Sequence, residues 1–575
     1  MWNLQDEASP RRPVGRGCRR AVSLGALATA LAIAAAADAA QAAAPSDPPS
    51  ASPPAASATS NAVDADAAMP STYTVDAVNT AIGSNPVERF FKYYAAEWGQ
   101  AGPPADPNAP PSTKPGWTAP PQSAPPMPFT DWPYGASTLL GNNRTASVDS
   151  PLMTALAPTG LGKAMGEAGI QVYGWVDFGG NLSTSNNKFG NAPAGYDFTP
   201  NRAQLDQAVI YIERTPDTVQ TDHVDWGFRL SAIYGSDYRY TTAYGVASYQ
   251  LLKYNKQYGY DFPMVYGELY IPQVADGLMI RVGRYISIPD IEAQLAPNNY
   301  MYTHSITYTF DNFTNTGIQG TLAVNKNVML QLGLNAGTES ALWHIGQKIP
   351  NPDPNPLFPG TTMLKDPGAR PSVSACARLQ SNTAHDTIYF CGDAINKGDW
   401  GYNNLQWYGF TYYHKFNDKF HVSFETYNLF EDKVPNLNNP TAAAAIADGG
   451  TPFSPQYIPF NAPDAAQCKS AKVLDCRSNS YAALSYWNYQ PTPRDNFSLR
   501  LEWMDDTVGQ RTGVATTYED IGVGLQHWFS PQIELRPEVT YYWAGKPAFN
   551  GDAFAGIAPN KKTEAVLSGD IIIHF

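Results

Sequence analysis

The chain is poor in charge: only 15% of its 575 residues are Asp, Glu, Lys or Arg, against about 25% in ordinary water-soluble domains. Aromatics reach 12%, with 34 Tyr, 24 Phe and 13 Trp, so something other than water is expected to face part of the surface. Basic residues are in deficit, 38 against 51 acidic, for a net charge of −13. This excludes nucleic acid, which needs a basic face. Past residue 40 there is no apolar run of about 18 residues, so no transmembrane helix is available and a membrane crossing would have to be a closed barrel. Catalytic motifs are missing too. There is no G-x-S-x-G, no H-E-x-x-H and no phosphate-binding Gly-Lys loop, and the eight His are scattered from His223 to His574. No catalytic residue, metal or cofactor is expected, and the chain is read as a non-enzyme.

Cysteine is scarce as well. Of five, Cys18 lies in the basic stretch that opens an export signal: Arg residues through Arg20, an apolar run of about 15 residues, and Ala37-Asp38-Ala39 as a cleavage site. Residues 1–39 are therefore expected to be a cleaved signal peptide. The other four form two close pairs, Cys376 with Cys391 and Cys468 with Cys476, in polar segments rich in Pro and Asn. In an exported protein these read as two local disulfides pinning loops. A metal site is the rival, but neither pair has the two-residue gap of a zinc knuckle.

Residues 40–165 turn to Pro, Ala and Ser, as in "PSDPPSASPPAASATS". Such a segment buries too little apolar surface to offset its ordering entropy, so a mostly disordered periplasmic linker is expected. Within it, Val87–Trp98 could form a short amphipathic helix.

From residue 166 to 575 the texture is alternation with period two. In "FSLRLEW" Phe497, Leu499, Leu501 and Trp503 take one face, and Ser498, Arg500 and Glu502 the other. Soluble sandwiches share this alternation, but outer-membrane barrels also alternate short turns with long loops. Short connections at 325–327, 415–419, 491–494 and 530–531 alternate with generally long ones near 236–262, 287–315, 338–402, 431–480 and 544–563, with 506–515 shorter. The fold expected is all-β: a transmembrane antiparallel up-and-down barrel of about fourteen strands, or sixteen if a strand such as Thr303–Phe310 has been missed. Aromatics near strand ends, among them Tyr234, Tyr270, Tyr285, Tyr413, Trp528, Phe529 and Tyr542, suit a belt at the water–lipid boundary.

A charge on the lipid side would cost roughly 2–4 kcal/mol for Arg at mid-depth, so alternating polar residues are expected to line the lumen. From the first half of the barrel these are Asp177, Arg229, Glu268, Arg281 and Gln331. From the second half they are Glu425, Arg500, Glu502, Glu534, Arg536, Glu538 and Asp570. Arg284 shares parity with Leu278, Ile280 and Val282 and must sit at a strand end, where it can snorkel or turn inward.

Residues about 170–340 resemble the OmpL-like putative β-barrel porin family. The resemblance is carried by "YGWVDFGGNLSTSNN", "NRAQLDQAVIYIER", "DWGFRLSAIYGSDYRYT", "IRVGRYISIPDIEAQLAPNNYMYTHSITYTF" and "NTGIQGTLAVNKNVMLQLGL". It implies a porin passing small hydrophilic solutes and seated in outer-membrane lipid, and because porins often form trimers a homotrimer is among the expected assemblies. By analogy with general porins, the loop "SIPDIEAQLAPNNYMYTHS" would fold into the lumen, with Asp290 and Glu292 opposing Arg281 and Arg284. The ending "EAVLSGDIIIHF", closing on Phe575, resembles the signal read by the barrel-assembly machinery. The alternatives are a structural or adhesive barrel without transport and, further off, an outer-membrane hydrolase.

Overall fold

The computed structural model describes residues 85–89, 114, 140–141 and 150–575, apart from 244, 253–255, 287–289, 345–369, 402–403, 418, 446–464, 493, 531 and 553–554. The signal peptide expected over 1–39, most of the 40–165 linker and most of the Val87–Trp98 helix lie outside the described residues; Pro86–Arg89 is helical.

Among the described residues, seventeen strands run in chain order: β1 (Gln171–Ser183), β2 (Ala203–Arg214), β3 (Asp225–Gly235), β4 (Gly259–Asp261), β5 (Val265–Ile271), β6 (Leu278–Ile286), β7 (Thr314–Asn325), β8 (Val328–Thr338) and β9 (Ser372–Gln380). There follow β10 (Asp386–Ile395), β11 (Gln406–Asn417), β12 (Phe420–Pro435), β13 (Asp475–Thr492), β14 (Asp495–Asp506), β15 (Thr516–Ser530), β16 (Ile533–Ala544) and β17 (Thr563–His574). Each pairs antiparallel with its neighbours, and β1 pairs with both β2 and β17, closing the ring. Both β4 and β5 pair with β3. They are two pieces of one stave, and Ser231 spans the break, its Oγ accepting from the Met264 N–H at 3.0 Å. The barrel therefore has sixteen staves, the larger of the two counts expected.

The extra pair is not where it was sought. Thr303–Phe310 adds no strand; Ile306–Thr309 is a helical turn capped by the Ser305 side chain. The added hairpin is β9–β10, inside what reads as a long loop over 338–402. Its inward set is Ser372, Ser374, Cys376 and Arg378 and its outward set Val373, Ala375, Ala377 and Leu379, and such small residues give little hydrophobic contrast. Cys376 and Cys391 face each other across this hairpin and are bonded, so they lie on strands and not in a loop. Cys468 and Cys476 are bonded as well, tying a loop to β13.

Parity sorts the wall. In β3, Asp225, Gly227, Arg229, Ser231 and Ile233 are buried while Trp226, Leu230 and Tyr234 are exposed. The outer face carries Ile210, Leu269, Val282, Leu332, Val523 and Val539, among other exposed apolar side chains. In water this would be a costly surface, and in lipid it is a favourable one. The aromatic belt is thinner than expected, because Tyr270, Tyr285, Tyr413, Trp528 and Tyr542 have inward parity and are buried. Tyr234 and Phe529 remain exposed.

At the seam, the Gly174 N–H donates to the Phe575 carbonyl at 3.0 Å and the Phe575 N–H returns a bond of 2.8 Å. The Phe575 ring covers Gly174, where a Cβ would stand 2.7 Å from the ring. Directly before β1, over the described residues from 150 on, come two short helices, α1 (Pro151–Leu156) and α2 (Gly160–Glu167). Ser150 caps α1, accepting from the Met153 N–H at 3.1 Å with Pro at the first turn, and its hydroxyl donates to the Val172 carbonyl on β1. Leu140 is buried with Tyr270, Met279, Ala323 and Met329. Lys114 Nζ donates to the Asp276 carbonyl at 2.6 Å, in the β5–β6 turn.

Candidate functional site: the lumen and its loop

The β6–β7 connection does not stay outside. Every described residue from Ile291 to Phe313 is buried, although much of the segment is polar. Burial of polar backbone is tolerated only where partners satisfy it, and the inward-facing wall provides them. Glu425 on β12 accepts from the Ile291 N–H at 2.9 Å. On β14, Glu502 accepts from the N–H groups of Ile306 and Thr307, at the start of the helical turn. Arg500 donates to the Thr303 carbonyl at 2.8 Å. On β16, Arg536 donates to the carbonyls of Ala296 and Asn299 at 2.6 and 2.9 Å, and Glu538 accepts from the Thr303 N–H at 3.1 Å. From β2, Asp206 accepts from the Tyr302 hydroxyl at 3.0 Å and Gln207 from the Ala296 N–H at 3.0 Å. The loop leaves β6, reaches the far wall and returns to β7.

The remaining wall charges are paired mostly with one another. Glu268 and Arg281 are cross-strand partners in register, 2.6 Å apart. Arg229 holds Glu213 at 2.6 Å. Arg536 pairs with Asp570, and Asp177 stands near both of them and Asp206. Gln331 donates to Thr321 at 3.1 Å. Glu534 accepts from Gln526 at 2.6 Å. Arg284 resolves its parity conflict by turning inward: Gly283 before it takes φ +139°, and the guanidinium reaches Asp261 at 2.9 Å and the Phe262 carbonyl at 2.8 Å.

Asp290 and Glu292 therefore do not meet Arg281 and Arg284, which are occupied by Glu268 and Asp261 on neighbouring staves. Glu292 crosses instead to β13 and β14. It accepts from Tyr486 Oη at 2.6 Å and lies 3.9 Å from Arg500, which also pairs with Asp520 at 3.2 Å. Burial raises the Glu292 carboxyl above its usual range, with Arg500 opposing. His304, also in the loop, is pushed well below the usual imidazole range by burial. Glu213, Asp206 and Asp520 were missed in the sequence although their strand parity is inward; Asp520 follows Tyr518 by two in β15 and was legible by the rule that found Arg500.

Compared with known proteins, residues 169–575 match the family described as "Putative beta-barrel porin-2, OmpL-like". The chain belongs to that family. An OmpL-like porin barrel is an outer-membrane protein, and the outward apolar belt and inward charges described above fit that setting. No curated protein matches the chain. Among solved structures, an anion-selective porin from Comamonas acidovorans is similar at 9% identity and a TM-score of 0.41, over 71% of this chain and 99% of that one. The outer membrane channel DcaP of Acinetobacter baumannii is similar at 11% identity and a TM-score of 0.38, over 71% and 97%. A mutant of the Rh. blastica porin is similar at 13% identity and a TM-score of 0.33, over 71% and 100%. Likeness at this level transfers no solute preference to this OmpL-like porin.

Proposed function

We propose that this barrel is a passive diffusion channel for small hydrophilic solutes, without catalytic activity, narrowed by the β6–β7 loop. The observation that carries the reading is the fastening of that loop, by Glu292 and Thr303 to β13 and β16 across the ring and by Tyr302 to β2. A polar wall keeps hydration substitutes along the path. The Glu292 and Arg500 pair puts both signs of charge at the narrow level. Asp177, Arg229, Glu268, Arg281, Arg284, Gln331, Glu425, Glu502, Glu534, Arg536, Glu538 and Asp570 line the lumen in this proposal. Export by a signal over 1–39, a periplasmic linker over 40–165, recognition of Phe575 by the barrel-assembly machinery and assembly as a homotrimer complete it.

Reconstitution in planar bilayers tests the channel: stepwise conductance is expected, and Glu292→Gln and Arg500→Ala are expected to shift ion preference in opposite directions. A second reading, a structural or adhesive barrel without transport, is favoured by one observation: nearly all the lumen charges named above are buried and most are bonded. Heat-modifiable, correctly folded protein that gives no conductance would select it.

A further inference from the structure

The two feet of the β6–β7 loop and the far wall bring three carboxylates together. Asp290 stands just after β6, Asp311 just before β7, and Glu425 faces them from β12; one carboxylate oxygen from each lies within 4.8 Å of the others. Each has an oxygen without a hydrogen-bond partner among the described residues: Asp290 Oδ1, Asp311 Oδ2 and Glu425 Oε1, all sealed from solvent. Asp311 and Glu425 are 0% and 2% exposed. Their second oxygens are fixed, Asp311 Oδ1 by the Asn312 N–H at 2.6 Å and Glu425 Oε2 by the Ile291 N–H at 2.9 Å. The free oxygens are thus held in place while nothing described neutralises them fully.

The surrounding charge points the same way. Arg511 acts on Asp311, with its guanidinium bonded to the Phe310 carbonyl at 2.8 Å. Asp393 adds another negative charge near Asp290 and Asp311, and Glu292 is engaged by Ser305 and Tyr486. Buried carboxylates crowded in this way are paired, protonated or bound to metal.

We propose that Asp290, Asp311 and Glu425 bind one hard divalent cation, calcium by fit, which staples both feet of the loop to the far wall. The donors are all oxygen, which selects calcium or magnesium over softer metals. Calcium accepts oxygens at about 2.3–2.6 Å in irregular arrays, whereas magnesium demands a tighter octahedron at about 2.0–2.1 Å. Oxygens that lie within 4.8 Å of one another fall inside the span of about 4.6–5.2 Å that two calcium–oxygen bonds can bridge. Three carboxylates around one divalent cation, with Arg511 beside them, come close to neutral.

The site is tested by binding, independently of whether the barrel conducts. Full-length protein in detergent is stripped with EDTA and equilibrated with radioactive calcium alone. One calcium per chain is expected, retained against an equal concentration of magnesium, together with a rise in melting temperature. Glu425→Gln and Asp311→Asn are expected to weaken uptake at least tenfold, while Asp222→Asn, on an exposed turn, leaves it unchanged. Absence of stoichiometric uptake by the stripped wild type overturns the proposal, as does wild-type uptake in both variants. Where those variants lose heat-modifiable migration, Asp290→Asn, at the less buried foot, is read by the same criteria.

Discussion

At the scale of single residues, side chains no larger than a hydrogen decide the seam. A Cβ on Gly174 would come within 2.0 Å of the Val209 carbonyl and 2.7 Å of the Phe575 ring, so no rotamer relieves it. Gly174→Val is expected to lower the yield of heat-modifiable barrel several-fold, whereas a valine at Gly320, where a Cβ meets nothing within 4 Å, leaves the yield near wild type. Glu339, just beyond β8, is pushed up to about 7 by burial, against the pull of Arg511 and the Phe313 N–H. A folded-state value above the unfolded one means that the folded chain keeps a proton the unfolded chain has released. This contribution to stability is therefore full below about 4.5 and is lost as pH rises towards about 7. Melting temperatures measured across that window should fall less steeply for Glu339→Gln than for the wild type, and parallel slopes would reject the assignment.

At the scale of elements, legibility followed contrast. β14 was readable because Leu and Trp alternate with Arg and Glu, and the short connections at 325–327 and 491–494 announced themselves in the sequence with Asn and Pro. β9 was not, since the Ser and Cys of its inward face and the Ala pair of its outward face are all small and differ little in polarity. The β6–β7 loop lay between: its Glu292 could be nominated by analogy, but its partner Arg500 lies some two hundred positions along the chain, and no local pattern encodes that distance. Parity found Arg229, Arg536 and Glu538, but it could not say which acid each arginine would choose or that the wall would hold a loop. The β9–β10 hairpin carries its own test. The Cys376–Cys391 bond encloses a separation of 15 residues, for which chain entropy allows up to about 3 kcal/mol. Because the two strands are already held by their ladder, Cys376→Ser with Cys391→Ser is expected to lower denaturant stability by about 1–3 kcal/mol without altering the β content seen by circular dichroism.

At the scale of the whole molecule, the wall is a sheet without edges, and its inner surface is organised around one inward loop. Charges that would be costly in lipid are concentrated where water or the loop's backbone can meet them. Because the β1–β17 joint is hydrogen-bonded like every other joint, the ring has no privileged first stave, and Gly174 and Phe575 bring the two ends of the barrel sequence together on the side of the short turns. A circular permutant of residues 169–575, its old ends bridged by a few glycines and its new ones opened at Lys326 between β7 and β8, should therefore assemble the same cylinder. Shifted gel mobility on boiling would report it.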